Sequence, residues 1–261
     1  VEINSSKILK KIKEGNVFTT SSPLLGDYYN IFSKILENGD DVIHLCMSSG
    51  ISEGSFNSAF LTANTLNEEY NNKVYVIDTL NGATGGTLIY NIADGLIKEG
   101  YSAKSVIEYL NILKNNILTS FYVPDPKGFI RSGRNKSELC IKDKAILMGL
   151  KTALIAGIKF RVDFNEDGNL YTKKIFKSKR KDGMMKLTQN IINEQNKYEY
   201  DPKIAVVGTV KERYVLIDDI ITYLEDLNYF DKIIRKDING IVAAYGSEDL
   251  CGISLVKKYF N

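Results

Sequence analysis

Two groups of hydroxyl side chains are the residues of this sequence best suited to hold a ligand. Each group lies where a predicted helix begins, and there the first backbone N–H groups are unpaired and the helix dipole is positive. Hydroxyl and N–H groups in such a position bind a monovalent anion, for example the carboxylate of an otherwise apolar molecule. The groups consist of Thr20, Ser21 and Ser22, and of Ser48, Ser49, Gly50 and Ser52.

Helix capping is the alternative interpretation for either group taken alone, because Ser and Thr are favoured N-cap residues. Each helix needs only one N-cap residue, so several hydroxyl side chains of the two sets are not needed for capping. Anion binding is therefore the hypothesis for the pair.

Nucleophilic, phosphate and metal chemistry fit the sequence less well. A serine hydrolase needs a histidine within hydrogen-bond reach of its serine, and His44 is the only histidine in the chain. Because a strand rises about 3.3 Å per residue, His44 lies roughly 13 Å along the chain from Ser48. This excludes a histidine-based triad and predicts a core position for His44. The sequence has no P-loop phosphate motif, and one histidine without paired carboxylates gives no metal site.

The composition is that of an ordinary globular protein. With 261 residues, 44% of them hydrophobic and 25% charged, the chain is long enough for two domains. A formal net charge of +2 gives no indication of nucleic acid binding. The longest apolar stretch, 145–160, contains Lys151 and is too short to span a bilayer, so no stable membrane insertion is expected.

The three cysteines, Cys46, Cys140 and Cys251, are far apart and set in apolar surroundings. Neither a metal site nor a CxxC motif has this spacing, so we expect buried thiols in a reducing compartment. The predicted location is the cytoplasm, and a monomer is expected.

In the first half of the chain, predicted strands alternate with predicted helices. Strands are expected at 42–47, 73–79 and 119–123, and one of the helices is expected to begin at Pro23. This alternation indicates crossover connections and a largely parallel sheet. The opening residues, 1–3, are interpreted as the tail of a strand, so we expect the first elements of this domain to precede the chain.

The pattern changes after Pro124, where a second domain is predicted. A hairpin is expected to turn on 166–168, among further helices and strands. The predicted fold class is therefore α/β with two domains: residues 1–123 with a largely parallel sheet, and residues 124–261 with a mixed sheet. The further elements are helices at 143–156, 180–196 and 215–227 and strands at 203–209 and 240–245.

Six short motifs, in this order along the chain, resemble those of the DegV family. The family has T-S-Q-P-x-x-G-E/D, S-S-G-L-S, Y-Q/N-S-A, V-I-D-S, L-x-R-x-G-R and N-I-K-P. The matching stretches are T-S-S-P-L-L-G-D at 20–27, S-S-G-I-S at 48–52, F-N-S-A at 56–59, V-I-D-T at 76–79, F-I-R-S-G-R at 129–134 and G-I-K-F at 157–160. Each motif is short, but together they extend the resemblance over the whole chain.

Members of the DegV family are two-domain α/β proteins that enclose one long-chain fatty acid. The resemblance implies that this chain is the fatty-acid-binding subunit of a bacterial fatty acid kinase, with no cofactor and no catalytic site of its own. It would bind the fatty acid between its two domains and present the carboxylate to a separate kinase subunit, which phosphorylates it with ATP. By position, the carboxylate ligands would be Thr20, Ser21, Ser48, Ser49, Gly50 and Ser52.

Two arginines of the fifth motif, Arg131 and Arg134, would lie near the domain junction, where the kinase subunit could contact them. Solvated or ion-paired side chains are the alternative for these two residues.

Three departures from the family pattern affect the site. Glu53 is an insertion in the serine turn, Phe160 replaces a proline, and Tyr245 stands where the family motif H-x-G-P-G has its histidine. A tyrosine hydroxyl also donates to a carboxylate. Tyr245 is therefore expected to point into the pocket from the end of the strand at 240–245, with Glu248 and Asp249 turned to solvent.

Two other functions are compatible with the same residues. One is a serine enzyme that acts on lipid or ester substrates without a histidine. The other is a regulatory protein that senses a different amphiphilic acid. A bound acyl chain distinguishes a carrier from the enzyme, which a fluorophosphonate would label covalently.

Overall fold

The computed structural model describes residues 5–16, 18, 20–124, 157–179, 182–194, 199–210, 215–245 and 249–258. Within these ranges the chain forms a two-stranded and a six-stranded β-sheet, with helices packed against both. The predicted α/β class is confirmed: the small sheet is parallel and lies in the first half of the chain, and the large sheet is mixed.

The small sheet and the helices around it come from the first half of the chain. The helices are α1 (Ser5–Lys13), α2 (Leu25–Glu37), α3 (Ser49–Glu69), α4 (Thr84–Lys98) and α5 (Ala103–Leu113). Strands β1 (Val42–Cys46) and β2 (Val74–Asp78) run parallel, as predicted. Helices α2 and α3 pack against these strands through a buried apolar cluster that includes Phe32 and Leu66, and α5 contacts both strands as well.

The six-stranded sheet has the strand order β5-β4-β3-β8-β6-β7. Its strands are β3 (Ile117–Val123), β4 (Ile158–Phe164), β5 (Leu170–Lys177), β6 (Tyr200–Thr209), β7 (Lys232–Asp237) and β8 (Cys251–Lys257). Strands β6 and β7 are parallel, and the other neighbouring pairs are antiparallel. The predicted hairpin is β4–β5, and it turns through Gly168, whose φ of +74° suits a residue without a side chain.

The remaining elements surround this sheet. Helices α6 (Gly183–Glu194) and α7 (Val215–Asp226) pack on one of its faces through a buried cluster that includes Leu187, Ile220 and Ile253. A short helix, α8 (Gly240–Tyr245), follows β7, and a 3₁₀ turn, Lys114–Asn116, leads into β3.

The second half also contains the main errors of the sequence-based prediction. Residues 240–245, predicted as a strand, form helix α8, because a short apolar run has no periodicity that separates a buried strand from a buried helix. Strands β7 and β8 were not predicted. Strand β3 was assigned to the parallel sheet, but it lies antiparallel between β4 and β8. The helix predicted at 143–156 lies outside the described residues.

The start of α2 differs from the prediction as well. The helix begins at Leu25, so Pro23 is not its first residue. The carboxylate of Asp27 accepts a hydrogen bond from the Leu24 N–H at 2.8 Å and so stabilises the first turn. Thr20 to Pro23 consequently lie ahead of the helix, outside its first turn.

The predicted domain boundary between residues 123 and 124 stays a prediction. It lies next to 125–156, which fall outside the described residues. Strand β3, on the N-terminal side of the boundary, pairs with strands from its C-terminal side.

The first turn of α4 lies unusually close to the six-stranded sheet. The Ser254 hydroxyl donates to the Thr84 hydroxyl at 2.8 Å, and the hydroxyl oxygens of Ser254 and Thr119 are also 2.8 Å apart. Glycines make this approach possible. A Cβ atom on Gly208 would lie 2.6 Å from Cγ2 of Thr84, and one on Gly85 would lie 2.6 Å from Oδ1 of Asn81.

We expect Gly85→Ala to lower the free energy of unfolding by about 1–3 kcal/mol, because the added methyl group has no space. Gly86→Ala is the matched control in the same turn: its Cβ would meet no atom within 4 Å. The control should raise stability by up to about 1 kcal/mol through helix propensity. Urea denaturation followed by circular dichroism measures both, and equal effects of the two substitutions would contradict the close packing.

Candidate ligand site

The serine turn, residues 48–52, follows β1, forms the start of α3 with its N-cap, and contacts the β4–β5 hairpin. The Ser48 hydroxyl is buried; it donates to the carbonyl oxygen of Gly168 at 2.7 Å and accepts from the Gly50 N–H at 3.2 Å. Ser48 is thus the N-cap of α3 and a contact to a hairpin 120 residues away. Its proton is committed to Gly168, so in this arrangement Ser48 does not donate to a ligand.

The backbone N–H groups of the serine turn have partners as well. The Ser49 N–H donates to the carboxylate of Asp78 at 3.1 Å, and those of Ile51 and Ser52 donate to the Ser48 carbonyl, both at 3.0 Å. The prediction of unpaired N–H groups at this helix start is therefore wrong. Asp78 also accepts from the Leu80 N–H at 3.0 Å, so its charge is held at the carboxyl end of β2.

The first set of hydroxyl residues, Thr20 to Ser22, lies close to the serine turn. The hydroxyl oxygens of Ser22 and Ser52 are 3.5 Å apart, and those of Ser52 and Ser55 are 2.7 Å apart. Ser52 has φ −140° and ψ 70°, which interrupts the helical geometry directly before Glu53. The structure therefore brings the two sequence-predicted groups together, through Ser22 rather than through Thr20.

Two of the predicted ligand residues have hydroxyl groups that the described part of the chain leaves unused. Ser21 is exposed and Ser49 is half-buried, and neither side chain has a hydrogen-bond partner among the described residues. Thr20 is half-buried. Gly50 has no side chain to offer, and a Cβ there would lie 2.7 Å from the Gly168 carbonyl. Ser21 and Ser49 are thus the hydroxyls most available to a ligand.

A cavity of about 930 Å³ lies at the carboxyl ends of β1 and β2. Residues from both halves of the chain line it, and most of the larger ones are apolar. The apolar lining residues include Leu45, Met47, Ala83, Tyr90, Ile238 and Ile241, and the polar ones include Lys236, Asp237 and Asn239. The serine turn borders this cavity without lining it: Met47 precedes the turn, and the Ser48 N–H donates to the carbonyl of Asn81, another lining residue, at 2.9 Å.

The cysteines of the described residues are buried free thiols, as predicted. Burial, with the nearby charge of Asp78, raises the pKa of Cys46 to about 11, and burial raises that of Cys251 to about 12. Both thiols are therefore neutral at physiological pH. Cys46 lines the cavity as a neutral, weakly polar thiol and not as a nucleophile. Cys140 lies outside the described residues.

His44 is half-buried and packs against core residues. Its ring packs against Tyr28 and Phe32, with both centroids 5.3 Å away, and its Nε2 atom is buried without a partner among the described residues. Burial lowers the pKa of His44 below the ordinary 6.5. The ring is therefore neutral at physiological pH, and its aromatic contacts are with Tyr28 and Phe32.

The remaining predicted site residues are only partly described. Tyr245 is the last residue of α8, and not the end of a strand; its proposed contact with a carboxylate stays a prediction. Asp249, expected in solvent, is 4% exposed, so that expectation is wrong. Glu248, Arg131 and Arg134 lie outside the described residues.

Asp78 and Gly168 are the site residues that the sequence interpretation missed. Asp78 could have been found, because parallel neighbours place their carboxyl ends together, and Cys46 pairs with Asp78 in the register of β1 and β2. Gly168 gave no such signal, since its contact with Ser48 depends on the packing of distant segments.

Within the described residues, no group of three or more His, Cys, Asp or Glu side chains is arranged to hold a metal ion. In the same residues, no helix combines the length and apolarity needed to cross a membrane.

A family model described as "Uncharacterised protein, DegV family" matches residues 1–258. Among curated relatives, a DegV domain-containing protein of Staphylococcus aureus is 28% identical over 135 residues, which cover 51% of this chain and 46% of the relative. A DegV domain-containing protein of Lactococcus lactis is 28% identical over 169 residues, covering 64% of this chain and 55% of the relative. The chain thus spans about half the length of these relatives.

Solved structures share the fold over nearly the whole chain. A DegV family protein from Thermus thermophilus, described as fatty acid binding, has a TM-score of 0.79 at 20% identity, covering 98% of this chain and 85% of its own. The fatty acid kinase (Fak) B3 protein of Streptococcus pneumoniae, loaded with linoleic acid, has a TM-score of 0.78 at 18% identity, covering 98% and 84%.

The half-buried His44, whose Nε2 atom is buried, makes the stability of the protein depend on pH. The pKa of His44 is lower in the folded than in the unfolded state. Below about pH 6.5 the unfolded state therefore binds more protons, and the stability of the protein decreases as the pH is lowered. We expect His44→Phe, which keeps a ring between Tyr28 and Phe32, to lose less stability than the wild type between pH 7 and pH 5. Urea denaturation at both pH values measures this difference.

The difference in pH dependence can be assigned to His44 because the chain has no other histidine. The carboxylates titrate in both proteins and cancel in the difference. Equal losses in the wild type, His44→Phe and His44→Gln would show that the ring is solvated.

Proposed function

The chain belongs to the DegV family, and from this premise we propose that it binds a long-chain fatty acid. The acyl chain lies in the apolar cavity between β1, β2, α4 and α8, and the carboxylate reaches the hydroxyl groups beside it. The observation that carries the proposal is the meeting of the two hydroxyl groups, Ser22 with Ser52, next to an apolar cavity of about 930 Å³. Solved relatives carry fatty acids, which supports the assignment.

The acyl chain supplies most of the binding free energy. Each buried CH₂ group contributes about 0.8 kcal/mol, so a fourteen-methylene chain contributes on the order of 11 kcal/mol before the costs of association. A hydrogen bond to a charged group adds about 1.5–3 kcal/mol. The carboxylate contacts therefore fix the position of the ligand more than they determine its affinity.

The hydroxyl side chains hold the carboxylate in this proposal, and the backbone N–H groups do not. The N–H of Ser49 is already bonded to Asp78, whose negative charge would repel a carboxylate at the same position. Ser21 and Ser49 are the donors with free hydroxyl groups, and Thr20 lies next to Ser21. Ser48 contributes by holding the turn.

We further propose that the chain presents the bound carboxylate to a separate kinase subunit and does no chemistry itself. The name of the Streptococcus pneumoniae neighbour as a fatty acid kinase protein supports this role. The proposal needs no cofactor, places the chain in the cytoplasm, where the kinase would find ATP, and treats it as a monomer.

Removing hydroxyl groups should weaken fatty acid binding. For Thr20→Ala combined with Ser49→Ala, we expect a loss of about 2–5 kcal/mol with the fold intact, since bonds to a charged group are removed. Fluorescence displacement of a fatty acid probe measures the affinity, and native mass spectrometry of the purified chain detects an acyl ligand.

The matched control is Thr65→Ala with Ser105→Ala, which removes two exposed hydroxyls far from the serine turn. Its affinity should equal that of the wild type. Unchanged affinity in the Thr20 and Ser49 variant would limit these hydroxyls to a structural role, and covalent labelling of a serine by a fluorophosphonate would favour the enzyme instead.

The arginines should act on the kinase step alone. We expect Arg131→Ala with Arg134→Ala to leave fatty acid affinity nearly unchanged and to reduce acyl phosphate formation in an assay reconstituted with a fatty acid kinase catalytic subunit and ATP. Lys104→Ala with Lys203→Ala removes the same charge from other exposed positions and should leave the rate unchanged. A parallel loss of lipid binding would place the arginines at the lipid site.

A further inference from the structure

A second cavity, of about 380 Å³, lies at one end of the six-stranded sheet. Strands β3, β4, β5 and β8 and the 3₁₀ turn before β3 all contribute to its lining, and polar groups prevail. Asn81 lines both cavities, and they share no other lining residue. Its chemistry is therefore separate from that of the acyl chain site.

Three lysines line this second cavity. Lys114 comes from the 3₁₀ turn, Lys173 from β5 and Lys257 from β8, so segments distant in sequence bring three lysines to one concave surface. Within the described part of the chain, none of the three forms an ion pair. Like charges at one concave surface raise the local potential and attract anions.

The acidic residues of the cavity do not cancel this charge. Asp163 is 2% exposed and is bonded to Arg161: Nε lies 3.0 Å from Oδ1, and Nη2 lies 2.9 Å from Oδ2. The Ser120 hydroxyl also donates to Asp163, at 2.6 Å. Glu166 is exposed on the hairpin turn. Four basic and two acidic lining residues leave a net charge of +2.

The size of the cavity and the type of its cations identify the class of ligand. Lysine binds phosphate groups as a point charge, without the planar geometry that arginine requires. A volume of about 380 Å³ is at the lower end for small-molecule sites, so a phosphate group with a small organic part fits. We propose that this cavity is a binding site for a small phosphorylated molecule, held by Lys114, Lys173 and Lys257.

Pyrophosphate is the probe for this site. We expect isothermal titration calorimetry of the full chain at low ionic strength to show saturable binding at one site, weakening as salt is added. The variant Lys114→Gln, Lys173→Gln, Lys257→Gln should bind about 100-fold more weakly, because three charged contacts are lost. ADP and glycerol 3-phosphate, titrated in the same way, distinguish a nucleotide from a smaller phosphate ester.

The matched control is Lys34→Gln, Lys104→Gln, Lys203→Gln, which changes the net charge equally at exposed positions outside both cavities. It should weaken binding by less than about threefold, since its charges act only through screened solvent. Absence of saturable binding by the wild type, or equal weakening in both triple variants, would overturn the proposal.

Fatty acid affinity of the same variants separates this site from the proposed function. The triple variant of the cavity lysines should bind fatty acid like the wild type and unfold at the same temperature. Loss of both ligands would overturn the assignment of a separate site. Lysine-dependent pyrophosphate binding by a chain that binds no fatty acid would support this site and reject the proposed function.

Discussion

The close approach of α4 to the six-stranded sheet is the contact on which the other features of the described structure depend. Thr84 and Ser254 meet through hydroxyl groups at 2.8 Å, and Gly85 and Gly208 leave the space that the approach needs. Because α4 follows directly from β2, this contact fixes the end of the small sheet against the large one. The apolar cavity is the space that remains between these layers, where Asn81 and Ala83 face the segment after β7.

Folding uses much of the polar chemistry that the serine turn could offer to a ligand. Ser48 caps α3 and holds Gly168, while Asp78 binds the N–H of Ser49. What is left is a small number of hydroxyl groups next to an apolar volume. In the proposed function, burial of the apolar part of the ligand therefore contributes more binding free energy than hydrogen bonds to its polar end.

The sequence predicted those helices, strands and turns that short stretches of residues determine. The apolar runs of β1 and β2, the periodicity of α3 to α5 and the turn at Gly168 are legible in the sequence because each signal lies within about ten residues. Strand β8 is different: it is central to the sheet through its pairing with β3 and β6, which are distant in the chain. The site divides in the same way. The hydroxyl groups could be predicted, whereas the use of Ser48 by a residue 120 positions away could not.

The contact between the serine turn and the hairpin also constrains how the sequence can diverge. A Cβ atom on Gly168 would overlap the Ser48 hydroxyl, and one on Gly50 would lie 2.7 Å from the Gly168 carbonyl. A side chain at position 50 or 168 would therefore fit only if the facing residue of the turn or hairpin changed as well. Among descendants of this sequence, the three positions are expected to vary together, although they come from opposite halves of the chain.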